Sequence, residues 1–160
     1  MIASERIHVL SRVHQRLTRF TDTTDVEVRE FLTDLCEDLR TSMIGVRPII
    51  LEIYAEPTKL PFPAAVTLGL IVNELIQNAL KHAFPGDRPG CVSVRFCRNG
   101  PEYRLTVADD GVGNTEPSPT SSGLGQRLVR SLVKQLHGTY EVTIDGGRTA
   151  EVKFPADPHS

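Results

Sequence analysis

The spacing of apolar residues predicts a helical hairpin at the start of the chain. Apolar side chains first recur every three or four positions at Ile7, Leu10, Val13 and Leu17. After the polar stretch 21–24 the same spacing returns at Val28, Leu32, Leu35 and Leu39. Each stripe is typical of one buried face of a helix. Thr24 or Asp25 is predicted to cap the second helix, since both residue types are favourable N-caps.

The remainder of the chain alternates between strand-like and helix-like patterns. Strands are predicted at 49–54, 92–96, 103–107, 139–144 and 150–154, and helices at about 63–84 and 124–136. Turn residues join the paired strands at Asn99-Gly100 and at 145–147. This order predicts an α+β fold, a two-layer α/β sandwich preceded by the helical hairpin. We place the division between a helical segment, 1–44, and a second domain, 45–160.

The long central helix carries an unusual set of polar groups on one face. Glu74, Asn78, Lys81 and His82 fall within an arc of about 100° at 3.6 residues per turn. The same helix also carries an apolar stripe, formed by Leu68, Ile71, Val72, Leu75 and Ala79. An amide oxygen can bind Mg²⁺, an ammonium can neutralise phosphate, and a carboxylate can accept a proton. A solvated helix face is the alternative interpretation.

Two glycine-containing loops add to this pattern. The first, Asp109-x-Gly111-x-Gly113, follows a predicted strand, and alternation places Asp109 on the apolar face of that strand. A carboxylate in such a place needs a hydrogen-bond donor, and an adenine amino group would serve. Gly123-Leu124-Gly125 begins a helix, where backbone N–H groups favour phosphate. Each loop alone is also consistent with an ordinary turn or helix start. Neither matches the P-loop or the dinucleotide-binding glycine pattern.

Composition and charge argue against a membrane protein and against a strongly basic nucleic-acid-binding protein. The chain has 160 residues, is 39% hydrophobic and 24% charged, and has a net charge of -2, which is typical of one globular unit. This charge argues against nucleic-acid binding through overall positive charge, and the apolar runs are shorter than the roughly 20 residues that span a membrane. The three cysteines form no CxxC pair. We therefore expect a cytoplasmic protein without membrane contact or nucleic-acid partner.

The three motifs, taken in this order, resemble those of the GHKL ATPase superfamily. Within it, the chain is most similar to the catalytic domain of bacterial sensor histidine kinases of the short-lid group. The resemblance extends from about Ile49 to Pro155 and implies the Bergerat-type ATP-binding fold. It also implies ATP and Mg²⁺ as cofactors.

The resemblance implies a role for each motif residue of the helix. Asn78 would bind Mg²⁺, and Glu74 would act as general base or polarise the acceptor imidazole. Lys81, as a catalytic and binding residue, and His82 would contact phosphate. In the loops, the implied nucleotide-binding residues are Asp109 at the adenine amino group, Gly111 and Gly113 beside adenine, and Gly123, Leu124 and Gly125 at the phosphates. Arg148 separates Gly147 from Thr149 where family members often have Gly-Thr.

The N-terminal segment 5–14 resembles the second helix of a dimerisation module. In that group the phosphoacceptor histidine lies on the preceding helix, so we expect the acceptor outside this chain and assign it to neither His8 nor His14. The implied partners are a histidine-bearing dimerisation domain, a second copy in the intact protein, and a response-regulator receiver domain. Two alternatives stay open, namely a GHKL serine kinase acting as an anti-sigma factor and a degenerate phosphotransfer or scaffold protein.

Overall fold

The computed structural model describes residues 25–86, 88–112 and 124–156. The first helix of the predicted hairpin lies outside these residues. The described chain begins with β1 (Asp25–Glu27), which pairs antiparallel with β3 (Lys59–Pro61). Helix α1 (Val28–Leu39) follows, and the Glu27 carboxylate caps it by accepting from the Glu30 N–H. The predicted cap at Thr24 or Asp25 is therefore wrong, because the extended pairing of β1 delays the helix to Val28.

The predicted apolar stripe of α1 is confirmed. Its members, Val28, Leu32, Leu35 and Leu39, are completely buried. They join one core with residues of α2 (Phe62–His82) and β2 (Ile49–Ala55). A short π-helical turn, Arg40–Ile44, links α1 to β2. The division of the chain at residue 44 stays a prediction, and α1 on its N-terminal side shares the core of the following elements.

A five-stranded mixed sheet forms one layer. Its other strands are β4 (Gly90–Asn99), β5 (Glu102–Asp109), β6 (Thr139–Ile144) and β7 (Arg148–Pro155). The spatial order is β2-β4-β5-β7-β6, with β2 parallel to β4 and every other pair antiparallel. The two predicted hairpins are present, and their turns use positive φ at Gly100, Gly146 and Gly147. These φ values explain why glycine occupies the turns.

The helices form the second layer on one face of the sheet. Buried residues alternate along the strands, as in Tyr103, Leu105 and Val107 of β5 and Ala150, Val152 and Phe154 of β7. Helices α1, α2 and α3 (Leu124–Gln135) contact this face through β2, β5 and β6. The predicted α+β two-layer sandwich is thereby confirmed. Within the described ranges, no helix is both long and apolar enough to cross a membrane.

Candidate functional site

Helix α2 provides the platform of the site. Pro63 lies in its first turn, and its buried apolar stripe anchors it on the sheet. Glu74, Asn78 and His82 lie on successive turns of one side of the helix, about 6 Å apart along the axis at 1.5 Å per residue. Glu74 is only 8% exposed, whereas Asn78 and His82 are half-buried and Lys81 is exposed. This face is therefore partly covered rather than fully solvated.

The start of α3 covers part of this face. A Cβ built on Gly125 would lie 3.1 Å from Glu74 Oε2 and 3.6 Å from both polar atoms of the Asn78 amide. Gly125 therefore brings backbone into direct proximity with both side chains, and a larger residue would fill the space beside them. The N-terminal N–H groups of a helix carry a partial positive charge that favours anions. Backbone donors of α3 and the polar groups of α2 thus share one end of the site.

Asp109 forms the other end of the site. It lies at the end of β5, half-buried on the helix-facing side, and its Oδ1 accepts from the Gly111 N–H at 3.0 Å. Burial raises the pKa of Asp109 above its ordinary value, while hydrogen bonds from the N–H groups of Gly111 and Arg148 lower it. The raised pKa shows that the carboxylate has lost water contacts on burial, and a hydrogen-bond donor on a ligand would compensate for that loss.

The loop after Asp109 packs against the end of α2. The Val112 N–H donates to the Ala83 carbonyl at 3.0 Å, and a Cβ on Gly111 would lie 2.2 Å from that same oxygen. Only glycine permits this approach. The contact brings Asp109 to the His82 end of the helix face, so the two predicted motifs meet in space.

His82 lies in a cationic environment. Burial lowers its pKa, and the charges of Lys81 and Arg148 lower it further. The neutral imidazole is therefore favoured more strongly than in an exposed histidine. Arg148 had no place among the sequence-predicted site residues, although it influences both His82 and Asp109.

Asn73, which precedes Glu74 in sequence, is a buried polar residue outside the predicted site. It is 1% exposed, and neither its amide nitrogen nor its amide oxygen has a hydrogen-bond partner. An unpaired buried polar group lowers the free energy of unfolding by about 1–3 kcal/mol, and such groups are rare in native proteins.

The remaining predicted site residues are only partly described. Gly113 and Gly123 lie outside the described residues, as does the side chain of Leu124. Their roles stay predictions. The residues in view fit a Mg²⁺–phosphate ligand, because Mg²⁺ commonly uses one or two protein oxygens together with water and substrate phosphates. Asn78 would supply such an oxygen, and Gly125 leaves the space beside it open.

Family comparisons agree with this geometry. Residues 64–158 match the model of the histidine kinase-, DNA gyrase B- and HSP90-like ATPases, and residues 2–43 match a histidine kinase model. The chain is 38% identical over 115 residues to blue-light-activated histidine kinase 2 of Erythrobacter litoralis, covering 69% of this chain and 33% of the relative. It is 29% identical over 131 residues to sensor histidine kinase PdtaS of Mycobacterium tuberculosis, covering 80% and 26%. The chain thus spans a third or less of these relatives.

Solved structures agree as well. The histidine kinase domain of the Erythrobacter litoralis EL346 blue-light-activated kinase superimposes with a TM-score of 0.81 at 28% identity, over 95% of this chain and 73% of that one. The catalytic domain of histidine kinase ThkA gives a TM-score of 0.70 at 16% identity, over 85% and 97%. The latter likeness concerns the fold alone.

Proposed function

We propose, from the premise that this chain belongs to the histidine kinase-, DNA gyrase B- and HSP90-like ATPase family, that it is the Mg·ATP-binding core of a protein-histidine kinase. The observation that carries the proposal is the approach of Gly125 to Glu74 and Asn78. It joins helix-terminal backbone donors, an amide oxygen and a carboxylate at one point. These are the groups that phosphoryl transfer needs for positioning and charge stabilisation.

The nucleotide would lie along α2. The Asn78 amide oxygen would hold Mg²⁺, which supplies charge neutralisation to the phosphates. Gly125 and the predicted loop residues Gly123 and Leu124 would bind the phosphates through backbone N–H groups. Lys81 would add a side-chain contact to the phosphates, and His82, one helical turn beyond Asn78, would contact the phosphate nearest the nucleoside.

The base would lie at the opposite end of the same face. The half-buried Asp109 carboxylate would accept from the adenine amino group, and this hydrogen bond would offset the burial that raises the pKa of Asp109. Gly111, whose position against Ala83 leaves no room for a side chain, and the predicted Gly113 would shape this part of the pocket. Adenine recognition therefore falls to β5 and the loop that follows it.

Glu74 is suited to act at the transfer step. Its carboxylate lies beside Gly125 at the phosphate end and is largely shielded from water. It would accept the imidazole proton, or polarise the imidazole, as the acceptor histidine attacks the γ-phosphoryl group. The acceptor would belong to a dimerisation domain outside this chain, in a cytoplasmic homodimer, and the phosphoryl group would pass to a response-regulator aspartate.

Radiolabelled ATP tests the proposal. We expect the chain, mixed with Mg²⁺ and a histidine-bearing dimerisation domain from the same family, to give an acid-labile, base-stable label on that domain. Glu74→Gln should slow transfer by about a hundredfold, as for loss of a general base, while leaving ATP affinity nearly unchanged. Gln135→Ala, at the exposed end of α3, serves as the control variant.

Three outcomes would contradict the proposal. Acid-stable label on serine would favour the serine-kinase alternative. Absence of ATP binding would favour the degenerate phosphotransfer or scaffold alternative. Strong labelling of the chain alone, lost on substitution of His8 or His14, would show that the acceptor lies within it.

A further inference from the structure

Arg148 begins β7 at a position that faces the site. Its Cα pairs with Asp109 of β5 on one side and with Ile144 of β6 on the other. Strand alternation places it on the same face as the buried Ala150 and Val152, which is the face that the helices cover. Paired residues on adjacent antiparallel strands project to the same side of the sheet, about 5 Å apart. Arg148 and Asp109 are therefore side-by-side neighbours beneath α2.

The preceding turn fixes this placement. Gly147 has φ of 143°, and a Cβ at this residue would lie 2.0 Å from the Asp109 carbonyl oxygen. Both the backbone angle and the close approach require glycine. Because the turn packs directly on the Asp109 backbone, β7 starts at one defined register, and the first side chain it presents to the site is that of Arg148.

Electrostatics place the guanidinium near two site residues. The charge of Arg148 lowers the pKa of Asp109 and also lowers the pKa of His82, which projects from α2 above the sheet. Arg148 therefore lies within electrostatic range of both side chains. Arg148 is half-buried, so part of its side chain is accessible to a ligand.

We propose that Arg148 contacts the base of the bound nucleotide and, together with Asp109, determines base recognition; this inference rests on the proposed function. The phosphate end is defined by Gly125 beside Glu74 and Asn78, one to two helical turns from His82. Arg148 lies at the opposite end, next to Asp109. Its position therefore favours the base over the γ-phosphate.

The side chains of Asp109 and Arg148 together suit a nucleobase edge that has a hydrogen-bond donor next to an acceptor. The Asp109 carboxylate only accepts when ionised, and the Arg148 guanidinium only donates. Adenine presents an exocyclic amino donor next to ring-nitrogen acceptors. Asp109 would accept from the amino group while Arg148 donates to a neighbouring ring nitrogen.

Titration of the full chain with two ligands tests the inference. Mg·ATP is titrated directly, and adenosine, which lacks phosphates, is measured by competition. We expect Arg148→Ala to weaken both ligands by a similar factor of about ten, the effect of one charge-assisted hydrogen bond. Arg148→Gln keeps an amide donor and should weaken both less. Arg104→Ala, which removes an arginine from the opposite face of the same sheet, should change neither.

The outcomes separate this inference from the proposed function. A wild-type chain that binds no Mg·ATP would contradict the proposed function itself. If the wild-type chain binds, then unchanged affinities in folded Arg148→Ala would overturn the role of Arg148 alone. A loss confined to Mg·ATP, with adenosine unaffected, would also overturn it, because Arg148 would then contact phosphate. If Arg148→Ala does not fold, the same comparison on Arg148→Gln decides.

Discussion

At the scale of single residues, the burial of Asp109 costs stability, and its proposed role is to bind adenine. Its pKa in the folded chain is raised above the ordinary 3.8 by burial. Protonated Asp109 therefore favours the folded state. This contribution to the free energy of unfolding is fully present below about pH 3.8 and is lost as pH rises through the folded pKa. We expect Asp109→Asn to unfold at a higher temperature than the wild type at pH 7, and this difference to shrink as pH falls to 4.

The same variant should lose base recognition. Guanine presents an acceptor where adenine presents its amino group, so wild-type Asp109 should favour ATP over GTP by at least tenfold. Asp109→Asn, whose amide both donates and accepts, should reduce this preference. Thermal melts across pH and paired titrations with the two nucleotides measure both effects. Equal wild-type affinities for ATP and GTP would remove Asp109 from the base site.

Asn78 should matter for binding but hardly for folding. Its side chain is half-buried on the polar face of α2, and alanine has a higher helix propensity than asparagine. We expect Asn78→Ala to leave the unfolding free energy within about 0.5 kcal/mol of the wild-type value and to weaken Mg·ATP binding by at least tenfold. Gln135→Ala provides the matched amide-to-alanine control. Wild-type affinity in a natively folded Asn78→Ala would contradict the assignment.

At the scale of elements, the junction of α2 and α3 depends on one missing side chain. Gly125 lies within the first turn of α3, where alanine would favour the helix by up to about 1 kcal/mol. The added methyl group would lie 3.1 Å from the Glu74 carboxylate and beside Asn78. We therefore expect Gly125→Ala to keep or raise thermal stability while weakening Mg·ATP binding. Ser131→Ala, on an exposed position of the same helix, controls for helix propensity.

The C-terminal end of α2 is held by an arginine from the connection before β2. Arg47 donates from Nη1 to the Leu80 carbonyl and from Nη2 to the Phe84 carbonyl, each at 3.1 Å. Charge-assisted bonds to the last carbonyls of a helix stabilise its final turn, which here carries Lys81 and His82. We expect Arg47→Ala to lower the unfolding free energy by about 2 kcal/mol.

Chemical denaturation compares this variant with Arg29→Ala, which loses one bond to the Ala55 carbonyl far from the site. Arg47→Ala should also weaken nucleotide binding, whereas Arg29→Ala should not. Equal nucleotide affinities in the two variants would show that Arg47 supports the fold without positioning the site.

Sequence patterns predicted the long elements because each carries enough periodic residues to define a buried face. The limits of β6, Thr139–Ile144, agree with the prediction, and the stripe of α1 is buried as expected. The strands β1 and β3 were missed because three residues carry no period. The wrong cap of α1 followed from that omission.

The placement of some candidate site residues could also be predicted from the sequence. Helical spacing alone placed Glu74 and Asn78 on one face. Strand alternation placed Asp109 on the inner face of the sheet. The position of Arg148 beside Asp109 was not predictable, because it depends on β7 inserting between β5 and β6 in the sheet order. Such a pairing is set by long-range contacts rather than by local pattern.

At the scale of the whole molecule, the sheet and α2 bring together two motifs that lie far apart in sequence. The contact of Val112 with Ala83 and the approach of Gly125 to Glu74 place both loops against one helix. This arrangement makes nucleotide binding a property of the folded domain rather than of any single motif. Binding should therefore raise the melting temperature, and above the dissociation constant the rise should follow the logarithm of nucleotide concentration.

The most direct test of the account is a calorimetric titration of the 160-residue chain with a non-hydrolysable ATP analogue, with Mg²⁺ and again with excess chelator. We expect one site per chain, with affinity at least tenfold weaker when Mg²⁺ is removed, since Asn78 would then lose the ion that links it to the phosphates. Absence of binding in the presence of Mg²⁺, or the same affinity with and without it, would contradict Mg·ATP binding by this chain.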